Sequence, residues 1–367
     1  MDPIISNISH DDDKYKFTIS NVDVSYINAI RRTILTDIQV NGIYTETYEN
    51  NDCFIEKNTS RLHNEIIKQR LSCIPIHTKN LEDLPGKYEL VVDIKNETDT
   101  NIIVTTEDFK IRSKASGNYL TEDAIRKIFP KNDKTGMYID FVRLRAKIDD
   151  SMIPGEELKI VADFSIQSAR QNSMYNVVSI CSYGNTIDMI QVNNVWEQQE
   201  KKLVSENLSN DEIKMQKRNF YILDAQRHYK EKSFDFVIQS IGIYTNEELM
   251  KKSCKFLINQ FLLLLTDIDS ESLRINDNET TMDNSYDIII ETGDYTIGNI
   301  LDFMLYDKLY KTGILTFSGF KKMHPHDDSG VLRLSFKNVV TKREIEEHLN
   351  KTCMEIIQIF EQIYKLF

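Results

Sequence analysis

Residues 14–35, KYKFTISNVDVSYINAIRRTIL, and residues 285–306, SYDIIIETGDYTIGNILDFMLY, are the two stretches on which the fold turns. Laid over one another at a constant offset of 271, they align without a gap. Tyr15 meets Tyr286, Ile19 meets Ile290, Asp23 meets Asp294 and Asn28 meets Asn299. Ile30 falls on Leu301, and Ile34 on Leu305. Each copy reads as a short alternating strand, a polar turn and a helix. Ile27, Ile30, Ile34 and Ile38 recur at the spacing of one apolar helix face. Ile297, Ile300, Leu301, Met304, Leu305 and Leu309 do the same in the second copy.

A second strand–helix pair follows each copy. Phe234, Phe236 and Ile238 alternate as a half-buried strand, and so do Leu332, Leu334 and Phe336. Thr245 with Glu248, and Thr341 with Glu344, have the spacing of a capping box, so a helix is expected after each strand. The last helix carries Ile345, Leu349, Cys353, Ile356, Phe360, Ile363 and Phe367 along one stripe. At about 26 residues it is long for a globular helix, which predicts a partner helix. The segment 246–265 has the matching design.

The expected fold is therefore α+β, with two related units forming an intramolecular pseudo-dimer and a β-rich domain inserted in the first. The first unit is split into 1–41 and 171–270. The insert is 42–170, with short strands and one helical stretch near Ser60–Arg70. A linker at 271–284 leads to the second unit, 285–367. The expected seam between the units comprises Ile30, Ile34, Phe256, Leu257, Phe261, Leu301, Leu305, Ile356, Phe360 and Ile363.

Bulk properties narrow the function. Apolar residues make up 41% of the 367 and charged residues 28%, too apolar for a disordered chain. A net charge of -12 argues against the dense Lys/Arg surface that phosphate-backbone binding needs. The most apolar run, Phe256 to Leu265, contains Asn259 and Gln260 and is far short of a membrane span, so no membrane partner is expected. The opening MDPIISNISHDDDK is polar and acidic, unlike a signal peptide. The five cysteines, Cys53, Cys73, Cys181, Cys254 and Cys353, are scattered; the expectation is buried free thiols in a reducing compartment, cytosolic or nuclear.

Few residues invite chemistry. His324, His326, Asp327 and Asp328 have the composition of a metal cluster, but Pro325 and the following Ser-Gly read as a turn before a strand. His10 with Asp11, Asp12 and Asp13 reads as a solvated acidic segment. There is no P-loop, GxSxG elbow or HExxH. Arg31 and Arg32 lie mid-helix beside the apolar stripe, where paired guanidinium groups either face solvent or fork onto a partner's carboxylates and carbonyls. Asn28 and Asn299 occupy equivalent helix positions; Asn is a poor helix former, so each reads as a cap or as a side-chain contact.

These residues resemble a known family. SNVDVSYINAIRRTILTDIQV looks like the opening helix of alpha-like RNA polymerase subunits, with its Asn-Ala-hydrophobic-Arg-Arg core. NTSRLHNEIIKQRLSCIPI and SIQSARQNSMYNVVSICSY resemble later parts of the third subunit of eukaryotic polymerase II and its archaeal relatives. DYTIGNILDFMLYD and GFKKMHPHDDSGVLRLSFKN look like the eleventh subunit. Both in one chain resembles the fused form of large cytoplasmic DNA viruses. The resemblance implies a non-catalytic assembly subunit of DNA-directed RNA polymerase, located in the virion and host cytoplasm, with the host nucleus as a further site. It implies the two largest subunits and small zinc-binding subunits as partners, DNA and RNA only indirectly, and no cofactor. It assigns the region of Arg31 and Arg32 to docking of the second-largest subunit; with the positionally equivalent Asn28 and Asn299 these are the candidate partner-binding residues. The rivals are a duplicated α+β hydrolase using the acidic and His clusters, and a nucleic-acid clamp. Many third subunits of the family hold zinc through cysteines of the inserted domain; here that region offers only Cys53 and Cys73, too few for a tetrahedral site. Metal analysis of the purified protein should therefore find no zinc, and one equivalent per chain would overturn the reading.

Overall fold

The alternation in KYKFTIS becomes strand β2 (Lys14–Ser20), whose Tyr15, Phe17 and Ile19 are buried on one face. The computed structural model describes residues 2–148, 154–270, 272–278, 282–291 and 293–367. They form two compact units. The first comprises residues up to Ile34, then Ile180–Gln239 and Asn246–Phe367; the second comprises Leu35–Ser179 and Ser240–Thr245.

In the first unit β2 is followed by helix α1 (Val24–Thr36), which starts where the Asp23 carboxylate accepts the Ser25 backbone N–H at 2.9 Å. The alternating Phe234 and Phe236 lie on β12 (Tyr229–Ser240), antiparallel to β2, with Phe234 opposite Ile19 and Phe236 opposite Phe17. The Phe17 and Phe236 rings stack at 5.4 Å. Strands β1 (Ile4–Asp11) and β11 (Val178–Ile187) complete a sheet of order β1-β2-β12-β11. The second copy repeats this. Strands β13 (Arg274–Asp277), β14 (Ser285–Ile290), β15 (Leu315–Lys321) and β16 (Gly330–Phe336) form a sheet of order β13-β14-β16-β15, antiparallel throughout. Helix α7 (Tyr295–Leu305) follows β14 as α1 follows β2, and runs into a π-helical turn, Tyr306–Tyr310. Gly298 stands in α7 because the Phe320 ring of β15 lies against it; a Cβ there would come within 2.2 Å of that ring.

The fourth strand of each sheet leads to a long helix, α6 (Asn246–Asp269) and α8 (Lys342–Lys365) respectively. Thr341 and Glu344 form the expected capping box on α8. The two helices pack together, with Leu257 and Phe261 on α6 and Ile356, Phe360 and Ile363 on α8 wholly buried. Phe261 and Phe360 approach with ring centroids 6.3 Å apart, and Tyr26 of α1 lies 5.2 Å from Phe360. Phe367 then reaches the first sheet, 5.1 Å edge-on from Phe17. Each such ring or Ile contributes about 1.5–3 kcal/mol on burial. Of the expected seam residues Phe256 is only half-buried, because it lies about 100° around the helix from Leu257.

Three parts of this unit depart from the sequence reading. Residues 10–13 are solvated, as read, but do not stand ahead of the first strand: His10 and Asp11 end β1, and Asp12, at φ +54°, turns the chain into β2. The stretch read as a linker contains β13; residues 271 and 279–281 of it lie outside the described residues. Between β11 and β12 stand two helices the repeat does not predict, α4 (Met189–Ser205) and α5 (Asn210–Leu223), sharing a small core of Val192, Trp196, Phe220 and Ala225.

The second unit is mainly strand. Its larger sheet has the order β4-β9-β5-β7, from β4 (Cys53–Asn58), β5 (Tyr88–Lys95), β7 (Lys110–Ser113) and β9 (Glu157–Asp163). Two pairs accompany it, β3 (Gln39–Gly42) with β10 (Ser165–Ser168) and β6 (Ile102–Thr105) with β8 (Asp140–Leu144). Helix α3 (Glu122–Ile128) and the Phe109–Phe129–Phe141 cluster close the core. The helix expected near Ser60–Arg70 is α2 (Asn64–Ser72); it starts late because Asn58 Oδ1 accepts the Ser60 N–H and hydroxyl, holding 58–62 in a turn. Residues 240–245 belong here: Ile243 and Tyr244 are buried, and the Tyr244 hydroxyl donates to the Gln39 carbonyl at 2.9 Å.

Four cysteines are buried free thiols, as expected, and burial pushes Cys53, Cys181, Cys254 and Cys353 up to about 12. Cys73 departs from that expectation and is exposed, since it ends α2 on the side away from Leu71 and Ile74. Near pH 8 a thiol reagent should therefore label Cys73 alone in the folded chain and all five after unfolding; fast labelling of a second thiol would contradict the burial. Phe360→Ala should lower unfolding stability by about 3–5 kcal/mol in denaturant titrations, and Phe360→Asp by more. Leu366→Ala, at a 40% exposed position, should change it by under ~0.5 kcal/mol.

Candidate subunit interface

Helices α1 and α7 bring the expected partner-binding residues together. The Asp294 carboxylate caps α7 by accepting the Thr296 N–H at 2.7 Å, the same task Asp23 performs on α1. The caps are thus the aligned aspartates. Asn28 and Asn299 lie inside their helices, and both line a cleft of about 460 Å³ between α1 and α7.

The two arginines have different surroundings. Arg31 Nε and Nη2 donate to Asn28 Oδ1, one turn back on the same helix, at 3.1 and 3.0 Å. Arg32 crosses to the second copy: its Nε donates to Thr296 Oγ1 at 2.8 Å, and its Nη2 lies 3.4 Å from Asp294 Oδ2. The sequence read both as groups for an outside partner; a guanidinium committed to an internal site was not visible in it, because its acceptors lie 262 and 264 residues away. With Arg32 40% exposed the ion pair is partly screened, and its contribution is on the order of 1 kcal/mol or less. Ile30, Ile34, Leu301 and Leu305 are buried beneath, as the stripe predicts.

The histidine and acidic clusters do structural work. His324 N–H donates to Asp327 Oδ2 at 2.9 Å and Asp327 N–H to the His324 carbonyl at 3.1 Å, closing the turn before β16. Lys16 pairs with Asp11 at 2.7 Å across the β1–β2 hairpin and lowers its carboxyl below the usual range. Among the described residues no group of three or more His, Cys, Asp or Glu is placed to hold a metal ion. Nor is any helix among them long and apolar enough to cross a membrane.

Comparison with known proteins agrees with this geometry. The family model of the RNA polymerase Rpb3/Rpb11 dimerisation domain matches residues 16–261, more than half of the chain. The chain is 30% identical over 129 residues to a conjugation stage-specific protein of Tetrahymena thermophila, a match covering 31% of this chain and 38% of that one. It is 39% identical over 66 residues to the DNA-directed RNA polymerase subunit Rpo3 of Thermococcus kodakarensis, covering 18% of this chain and 23% of the relative. The chain thus spans well under half the length of either relative. With its strand–helix units and the matched span, it belongs to the Rpb3/Rpb11 dimerisation-domain family of RNA polymerase.

Proposed function

We propose that the chain is a non-catalytic assembly subunit of a multisubunit DNA-directed RNA polymerase, carrying a third-subunit-like and an eleventh-subunit-like half in one polypeptide. The halves pair as an intramolecular pseudo-dimer, with the β-rich unit inserted in the first, and the paired surface holds the two largest subunits in register. Small zinc-binding subunits dock beside them, and nucleic acid is met only within the assembled enzyme. The observation that carries this reading is the shared strand order of the two sheets, joined by the packing of α6 on α8. Union of both halves in one chain is what supports a viral setting, the host cytoplasm and the virion.

The mechanism is positional. The protein buries apolar and polar surface against larger chains and fixes their relative placement, while catalytic magnesium is held elsewhere. Arg31 and Asn28, bonded to each other on one helix, are the groups proposed for the second-largest subunit, since Arg32 is turned to Thr296 and Asp294 of the second copy. The hydrolase alternative has no support in these surroundings: its acidic and histidine clusters close turns.

Purification of the tagged chain from its native source should recover two much larger polymerase subunits in stoichiometric amount. Arg31→Ala should leave the chain folded and reduce that recovery. A small soluble species that hydrolyses substrate without large partners would refute the proposal.

A further inference from the structure

The 271-residue offset pairs more than the caps. It places Ser25 on Thr296, Arg31 on Asp302 and Arg32 on Phe303. At one end of the α1–α7 pair, Asp294 and Thr296 receive the Arg32 guanidinium. At the other end the equivalent acceptors, Asp23 and Ser25, line the cleft, and the residue corresponding to Arg32 is Phe303. The Ser25 hydroxyl oxygen is buried there and has no hydrogen-bond partner. Such a group is destabilising unless something supplies the missing bond. Asp302 adds a second carboxylate to the lining, and no Lys, Arg or His lines the cleft.

We infer that this cleft receives an arginine side chain from a partner polypeptide, filling at the start of α1 the place that Arg32 fills at the start of α7. A guanidinium fits better than an ammonium, because its planar fork reaches a hydroxyl and a carboxylate together, as Arg32 does with Thr296 and Asp294. Three aromatic rings in the lining, Tyr183, Phe303 and Tyr306, suit its flat faces. A cation beside a helix N-terminus opposes the helix dipole, but the capping aspartate offsets this at the Arg32 end and is present here too.

The inference rests on the assembly reading for the existence of a partner, and its test is independent of it. The isotopically labelled full chain is titrated with acetyl-Gly-Arg-Gly-amide, followed by amide shifts, and with the same peptide carrying citrulline or lysine. The arginine peptide should bind saturably, with shifts at residues 23–28 and 299–303. Asp23→Asn, which keeps a capping side chain, should weaken binding about tenfold by removing the charge-assisted bond. Phe303→Arg should weaken it at least as much by supplying the guanidinium internally. The assignment is overturned if the citrulline or lysine peptide matches the arginine peptide, if Asp23→Asn binds undiminished, or if the arginine peptide causes no shift at roughly 10 mM. Those results would leave recovery of the large subunits untouched, so the two readings fail separately.

Discussion

A four-stranded sheet with two helices on one face leaves the outer stripe of its longer helix without cover, and each half of the first unit meets that constraint with the other half. The contact of α6 with α8 removes Leu257, Phe261, Ile356, Phe360 and Ile363 from water at once. Phe360 lies at its centre, touching Phe261 on one side and Tyr26 on the other, so the seam also anchors α1. The placement of α1 against α7, and hence the Arg32 bridge and the cleft beyond it, follows from that packing.

The parts legible in the sequence were those that bury one face. The alternation of Phe234, Phe236 and Ile238 and the stripe from Ile345 to Ile363 report a periodic boundary between core and solvent, and the structure follows both. Strand β1 escaped because none of its residues is buried, leaving no alternation to read. Helices α4 and α5 escaped for a related reason: they bury little beyond Val192, Trp196 and Phe220, and the second half has no counterpart. The candidate site was half legible. Position singled out Asn28, Arg31 and Arg32, but which acceptors each would find depends on contacts hundreds of residues apart in sequence.

The shared strand order of the two sheets makes the differences between them informative. Where the copies agree, as at Asp23 and Asp294, the shared residue serves local structure by capping a helix. Where they diverge, as at Arg32 and Phe303, one end of the pair is closed by an ion pair and the other is an open cleft. Equivalent backbones thus carry unlike surfaces, so the two ends of the α1–α7 pair can meet different neighbours.

The six residues from Ser240 to Thr245 have a consequence for how the chain matures. The polypeptide leaves the first unit after β12, ties Tyr244 to Gln39 of the second through its hydroxyl, and returns to build α6. The two units are therefore interlaced in sequence: residues 240–245 of the second follow β12 of the first, and α6 and α8 of the first follow both. No single cleavage point divides them, and the first unit closes only through contacts between stretches far apart in the chain, which form slowly.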